Sequence, residues 1–547
     1  MKGIRRTIGI VLSVLLWIGL WTFLAYRLNK PVLLPYPQNV WKALVAMVKE
    51  ESFLHTLWGS FIHISLGFLC ALLAGVLLAV ISSRSEVMEL LLLPGVKLIK
   101  TVPVVSFIIL LLFFVKPERI SFVISLLMVF PVIYENTKKG IAETDRRLLE
   151  AAQVFRMSFW RKLYAMYLPS AVPFTTAACS AGLSLCWKAG IAAELIAQSP
   201  DSIGHALYYS KLYVDAEGVF AWTIVLIAVS VLFEKIFLIL FRLMTVAVSA
   251  PTLWKHPDRL VRHLLGLRTA QKKGDSAHAD AGDTGHADGG AEASQKDEPA
   301  RPGVPSSAEA MTFAQKTSEK PVCVLSGIGK SFDGHRVLSD VSVSLVPGTV
   351  TVISGPSGSG KTTLLRILLG LEQPDEGERR VDKNVRMAAV FQENRLCGQL
   401  SAIGNVRLAM SGNNRLAMSE NDCPAMSGND CPAMSGNGAE KANRLLVEAG
   451  ITDTCGQPVS SFSGGMKRRT AWCRALAAES RILVLDEPFT GLDEARKDTM
   501  IRLLYEYKKN DSIVIVTHNP SEIDKIRAVF GIVTTITIHP SVDKSNG

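Results

Sequence analysis

A segment of about 20 apolar residues fills a hydrocarbon layer roughly 30 Å thick, and there its backbone can be satisfied only as a helix or in a closed barrel. The first 250 residues meet this condition six times, at about 7–26, 56–82, 98–115, 119–134, 168–196 and 218–243. No other feature constrains the fold as much. It predicts an N-terminal α-helical membrane domain of six spans. Lys2, Arg5 and Arg6 ahead of the first run resemble a signal peptide, but the run is too long for a signal core. No small-x-small cleavage site precedes Arg27, so the segment reads as a retained span.

Basic residues orient the spans. The 135–167 loop carries seven (Lys138, Lys139, Arg146, Arg147, Arg156, Arg161 and Lys162), and the 197–217 loop only Lys211. Lys and Arg accumulate on the cytosolic side, so the first loop is expected inside and the second outside, with both termini cytosolic. The net charge of +10 is therefore a membrane-topology signal, not a nucleic-acid stripe. Lys188 and Glu194 fall within the fifth span. Charges at such depth point to a transport pathway, or else to pairing near a span end or with neighbouring helices. The nine cysteines have no framework spacing and no CxxC pair, and read as reduced thiols.

Residues 256–318 begin basic, then turn rich in Ala, Gly, Asp, Ser and His without apolar periodicity, and read as a flexible linker. The repeat of His278-Ala279-Asp280 at His286-Ala287-Asp288 reads as low complexity, with metal binding the alternative. At 407–438 four octads follow one another, RLAMSGNN, RLAMSEND, CPAMSGND and CPAMSGNG. A period of eight fits neither helix seam nor strand. The octads read as a mobile insertion or a partner-binding loop.

From Pro321 short β-branched runs alternate with helical stretches, namely Val341–Leu345, Thr349–Ile353, Ile482–Leu485 and Ile513–Val516, which predicts a largely parallel sheet with crossover helices. After the second run come Gly355, Pro356, Ser357, Gly358, Ser359, Gly360, Lys361, Thr362 and Thr363, the G-x-x-x-x-G-K-[ST] pattern in its strand–loop–helix context. The glycines let backbone N–H groups wrap phosphates, and the helix N-terminus adds a favourable dipole. Lys361 is expected on the β- and γ-phosphates of a nucleoside triphosphate and Thr362 on Mg²⁺; the loop alone says no more than NTPase.

Ser463, Gly464, Gly465 and Met466 resemble the signature of the ATP-binding-cassette (ABC) ATPases, and they precede the apolar run ending at Asp486 and Glu487. The resemblance covers about 321–530. It implies that Asp486 and Gln392 hold Mg²⁺ with Thr362, that Glu487 polarises the attacking water, and that His518 contacts the γ-phosphate. It also implies Phe332 stacked on adenine, and Ser463–Gly465 and Asp493 acting across a dimer. Gln392 follows Lys361 by 31 positions, fewer than is usual, which predicts a trimmed antiparallel subdomain.

In the cytosolic loop, Glu150, Ala151 and Ala152, then Leu168 and Pro169, resemble the EAA loop of binding-protein-dependent ABC importers, where a short helix docks on the ATPase; an ordinary amphipathic helix is the alternative. Arg156 stands where that family has Gly, and Met166 where it has Ile, departures that bear on coupling. Over about 50–245 the chain resembles the nitrate/sulfonate/taurine-type permeases. The implied organisation is a permease domain at 1–255 with a coupling loop at about 145–169, a linker at 256–318, an α/β P-loop ABC ATPase with a helical subdomain at 319–538, and a tail at 539–547. The implied protein is a multi-pass half-transporter of the cell inner membrane with a cytosolic ATPase. It would homodimerise, receive a small solute from an external binding protein, and use ATP and Mg²⁺ to import it. Nitrate, a sulfonate, taurine and a vitamin precursor are the candidate solutes; an exporter and an uncoupled membrane ATPase are the alternatives.

Overall fold

The computed structural model describes residues 2–249, 320–410, 437–452, 457–531 and 533–538. The linker at 256–318, most of the octads and the tail at 539–547 lie outside the described residues. The chain divides into two compact units, Met1–Thr144 with Tyr167–Ser249, and Asp145–Met166 with Ala250–Gly547.

The first unit contains α1 (Lys2–Leu28), α2 (Pro37–Val48), α3 (Glu51–Ser82), α4 (Glu86–Thr101), α5 (Val104–Leu111) and α6 (Pro117–Ala142). After α7 (Arg146–Val154) and α8 (Phe159–Lys162), which belong to the second unit, it resumes with α9 (Leu168–Ala197), α10 (Ile203–Leu212) and α11 (Ala216–Ser249). Among the described residues, five helical stretches are long and apolar enough to cross a membrane, or six if a bent pair counts as one span. That pair overlaps the span expected at 98–115, and it is bent. α4 and α5 meet at 103°. Pro103 has no N–H to continue the ladder and drives Val102 out of helical conformation, to φ −76° and ψ 131°.

Small residues bring the long helices together. In a membrane, helix association rests on packing and hydrogen bonds, so bulk at a crossing is costly. A Cβ on Gly67 of α3 would stand 2.5 Å from the Phe122 carbonyl oxygen of α6. One on Gly190 of α9 would stand 2.7 Å from Ile64 Cγ1. Around these crossings Phe68, Val129, Leu183 and Trp187 form a buried core.

The two charges of the fifth span have different surroundings. Glu194 is buried; its Oε2 accepts from Ser60 Oγ at 2.7 Å and from the Gly204 N–H at 3.2 Å. Lys188 is exposed, with no hydrogen-bond or ion-pair partner among the described residues.

The second unit is built on two sheets. β1 (Cys323–Phe332), β2 (His335–Leu345) and β4 (Glu376–Val381) form an antiparallel sheet in the order β2-β1-β4. The short Lys361–Gln392 spacing thus still accommodates β4. The parallel sheet runs β5-β6-β7-β3-β8, with β3 (Val350–Ser354), β5 (Met387–Val390), β6 (Ile482–Asp486), β7 (Ser512–Val516) and β8 (Val533–Thr537). Every residue of β6 and β7 is buried, as a strand covered on both faces requires. Trp472 anchors the helical side: it packs 5.6 Å from the Phe489 ring, and its Nε1 donates to the Pro488 carbonyl at 2.9 Å.

The helix crossings give a test with opposite signs. Gly95, on α4, has open space where a Cβ would go. Gly95→Ala should raise the stability of the detergent-solubilised protein by up to about 1 kcal/mol through helix propensity. Gly67→Ala should lower it by about 1–3 kcal/mol through overpacking. Thermal melting of the two variants checks this.

Candidate functional site

The loop 355–363 joins β3 to the helix Lys361–Leu369. Gly360 caps that helix at φ 90°, and a Cβ there would meet Leu338 Cδ2 at 2.7 Å, so only glycine closes the turn. Lys361 Nζ donates to the carbonyls of Gly355 and Pro356 at 2.8 and 2.7 Å, which keeps the ammonium over the loop. The Ser359 hydroxyl is buried and has no partner among the described residues. A buried free donor beside a glycine loop at a helix N-terminus fits a phosphate.

Thr362, Gln392 and Asp486 line one cavity of about 260 Å³. The end of β6 buries Asp486, and burial, followed by repulsion from Glu487, pushes its carboxyl up to about 6. A carboxylate so destabilised, beside a hydroxyl and an amide oxygen, is a donor set suited to a hard divalent cation, whose charge would restore the ionised form. Glu487 follows with φ 43°, a left-handed backbone that is unusual for a non-glycine residue. Its N–H donates to Val516 O at 3.0 Å, and its Oε1 lies 3.8 Å from His518 Nδ1. The structure thus gathers Glu487 with His518, and Thr362 with Gln392 and Asp486.

Other expected residues stand apart. Phe332 ends β1 and is 43% exposed, with Lys330 Nζ 5.3 Å from its ring centroid. Ser463 caps the helix Gly464–Ala477 by accepting from the Met466 N–H. Gly464 has open space around it, and no described hydrogen bond joins Ser463–Gly465 to the loop 355–363. Asp493 caps the helix Glu494–Lys508 and pairs with Arg496 at 2.6 Å.

The loop helix α7 packs within this same unit. Ala151 and Val154 are buried among Leu364, Leu365, Leu368 and Phe391; Ala152 is buried with Met166, Cys397 and Leu408. Glu150 meets Arg366 in a two-pronged pair, at 3.0 and 2.9 Å, and Arg395 at 2.7 Å. Hydrogen bonding from Arg366 is the main cause holding the Glu150 carboxyl below the usual carboxylate range. Arg366 lies in the last turn of the helix that begins at Lys361, and Arg395 lies three residues beyond Gln392, packed 3.9 Å over Phe391. Leu168 and Pro169 fall in the first unit, opening α9 directly behind a π-helical turn, Leu163–Tyr167.

Arg156 sits at φ 47° and donates to the Val385 carbonyl at 3.0 Å. The position calls for left-handed backbone, which accounts physically for glycine in the resembling family. Arg156 replaces glycine's freedom with a hydrogen bond.

Sequence reasoning missed Arg366, Arg395 and above all Arg468. Arg468 is buried and donates to five carbonyls: Phe391 at 2.5 Å, Gln392 at 3.0 Å, Asp486 at 3.0 Å, Pro488 at 3.1 Å, and Glu487. It ties the Gln392 segment to the Asp486–Glu487 corner. The one signal in the sequence was a run of arginines, including Arg468, Arg469 and Arg474, on a helix with an otherwise apolar buried face.

A phosphate-type loop, an acidic pair at a strand end and a histidine beside the second acid define a P-loop nucleotide hydrolase, here on one chain with membrane-length helices. Residues 338–490 match the family described as ABC transporter, and residues 71–246 the binding-protein-dependent transport system inner membrane component. An aliphatic sulfonates import ATP-binding protein of Rhodococcus jostii is 33% identical over 41% of this chain and 76% of its own length. A taurine import ATP-binding protein of Pseudomonas aeruginosa is 32% identical over 36% and 72%. A bacterial ABC transporter cassette solved as a dimer is 25% identical, covering 40% of this chain and 97% of its own, with a TM-score of 0.32. The chain belongs to the ABC transporter family: a permease component and a transport ATPase in one polypeptide.

Substitutions at two arginines test the site. Arg156→Gly should leave stability within about 1 kcal/mol, because relief of left-handed strain offsets the lost hydrogen bond. Arg156→Val keeps the strain and loses the bond, and should cost roughly 2 kcal/mol. Arg468→Met orphans five carbonyls and should cost about 3 kcal/mol or more while lowering ATP turnover. Denaturation midpoints and phosphate release measure these effects.

Proposed function

We propose that the chain is an importer half-transporter. Two copies form two nucleotide sites, each from one copy's 355–363 loop and the other's Ser463–Gly465, and the solute arrives on an external binding protein. The membrane is the cell inner membrane, with the ATPase unit cytosolic. The observation that carries this reading is the Glu150 cluster. One carboxylate on the EAA-like helix grips both the far end of the phosphate-loop helix, at Arg366, and the segment after Gln392, at Arg395. An ATPase without work to transmit has no need of such a junction.

Within the site, the backbone N–H groups of 355–363 and Lys361 hold the phosphates, and Phe332 stacks on the base. Thr362, Gln392 and Asp486 hold Mg²⁺, which when bound neutralises charge on the phosphate oxygens. Glu487 orients the attacking water and accepts its proton, and His518 fixes the position of that carboxylate. The open surroundings of Gly464 support its use by the opposite copy. The similarity to ATP-binding proteins of aliphatic sulfonate and taurine import makes a small sulfonate the leading solute.

The test is reconstitution in liposomes with a sulfonate-loaded binding protein. The loaded partner should stimulate ATP hydrolysis and uptake together. Glu487→Gln should abolish both while ATP still binds, and Glu150→Ala should retain hydrolysis but cut its stimulation by roughly tenfold, the loss of about 1.4 kcal/mol of coupling. Hydrolysis indifferent to any binding protein would overturn the importer reading.

A further inference from the structure

Lys188 is a charge with nothing to answer it among the described residues. It lies on α9, about 14 Å along the helix from Ala197 at 1.5 Å per residue, well inside the span. Away from the helix ends, the acidic side chains of the spans are Glu135, Glu194 and Glu234, and each is engaged, with Lys100, with Ser60 and Gly204, and with Ser180. A cation at this depth faces a water-filled cavity or a counter-charge, not lipid.

The face that bears it differs from its neighbours. α3 exposes Leu66, Leu69, Leu73 and Leu77, and α11 exposes Ile227, Leu232, Ile236 and Leu240, as lipid-facing helices do. Over its full length α9 exposes Pro173, Ala177, Ala181, Ser184 and Lys188, one stripe at helical spacing with no large apolar side chain. Lipid gains nothing from such a stripe and is penalised by the ammonium. A second copy seated on this face around a two-fold axis would bring a second Lys188, adding to the charge.

We propose that Lys188 is the charge-selecting residue of the translocation pathway, and that the pathway takes small monovalent anions, the sulfonate or carboxylate end of the solute passing beside Lys188 and Ser184. This deepens the importer reading and rests on it. A strongly hydrated ammonium on a rotatable aliphatic stem binds an anion without the rigid fork that would trap it, as a passing contact requires.

The experiment needs neither the natural solute nor transport, so its outcome is separable from the importer reading. Ser184→Cys is made in the full chain in membrane vesicles. The introduced thiol is labelled with a sulfonate-bearing and with a trimethylammonium-bearing methanethiosulfonate, the unmutated protein providing the background of native cysteines. That thiol should react with both reagents and favour the anionic one. Adding Lys188→Gln should lower the anionic-to-cationic rate ratio on the order of tenfold, since residue 188 lies one turn away on the same face. Adding Lys188→Arg, which keeps the charge, should retain the ratio. An introduced thiol that reacts with neither reagent, or a ratio indifferent to Lys188→Gln, would overturn the proposal.

Discussion

The seating of α7 depends on one carboxylate shared by two guanidiniums. Glu150 sits on a nine-residue helix that could not hold its own shape in water, since short isolated helices are marginal. It is fixed by burying Ala151, Ala152 and Val154 and by charge-assisted hydrogen bonds to Arg366 and Arg395. The small side chains allow close approach; the charges fix the register. Neither alone would hold α7 both near and oriented.

The same economy recurs at Arg468, whose partners are all backbone carbonyls. Backbone acceptors cannot be lost to side-chain substitution, so the arrangement tolerates variation in what surrounds it. Arg156 shows the complement. A position made for glycine accepts arginine because the long side chain finds a carbonyl at its far end.

What was legible in the sequence was contiguous. The spans, the 355–363 loop and the Asp486–Glu487 pair each occupy one short stretch, so periodicity and composition reveal them. Glu150 was found through the EAA-like loop, but its partners lie 216 and 245 residues away, where no spacing rule reaches. Arg468 was hidden for a different reason, since carbonyl acceptors leave no trace in residue identity. The bend at Val102–Pro103 within the span expected at 98–115 was not legible, because apolar composition continues unbroken across a turn that proline geometry imposes. Arg156 read as a defect because a sequence shows the missing glycine but not the dihedral that called for it.

The grip of Arg468 has a mechanical consequence. A guanidinium is flat and does not stretch, so the carbonyls it holds are spaced as by a rigid washer. A shift of the Gln392 segment by even a fraction of an ångström must then be shared by the corner at Glu487, whose left-handed backbone is already near the limit of its allowed range. Motion arriving at one side of the arginine would therefore reach the other side with little slack.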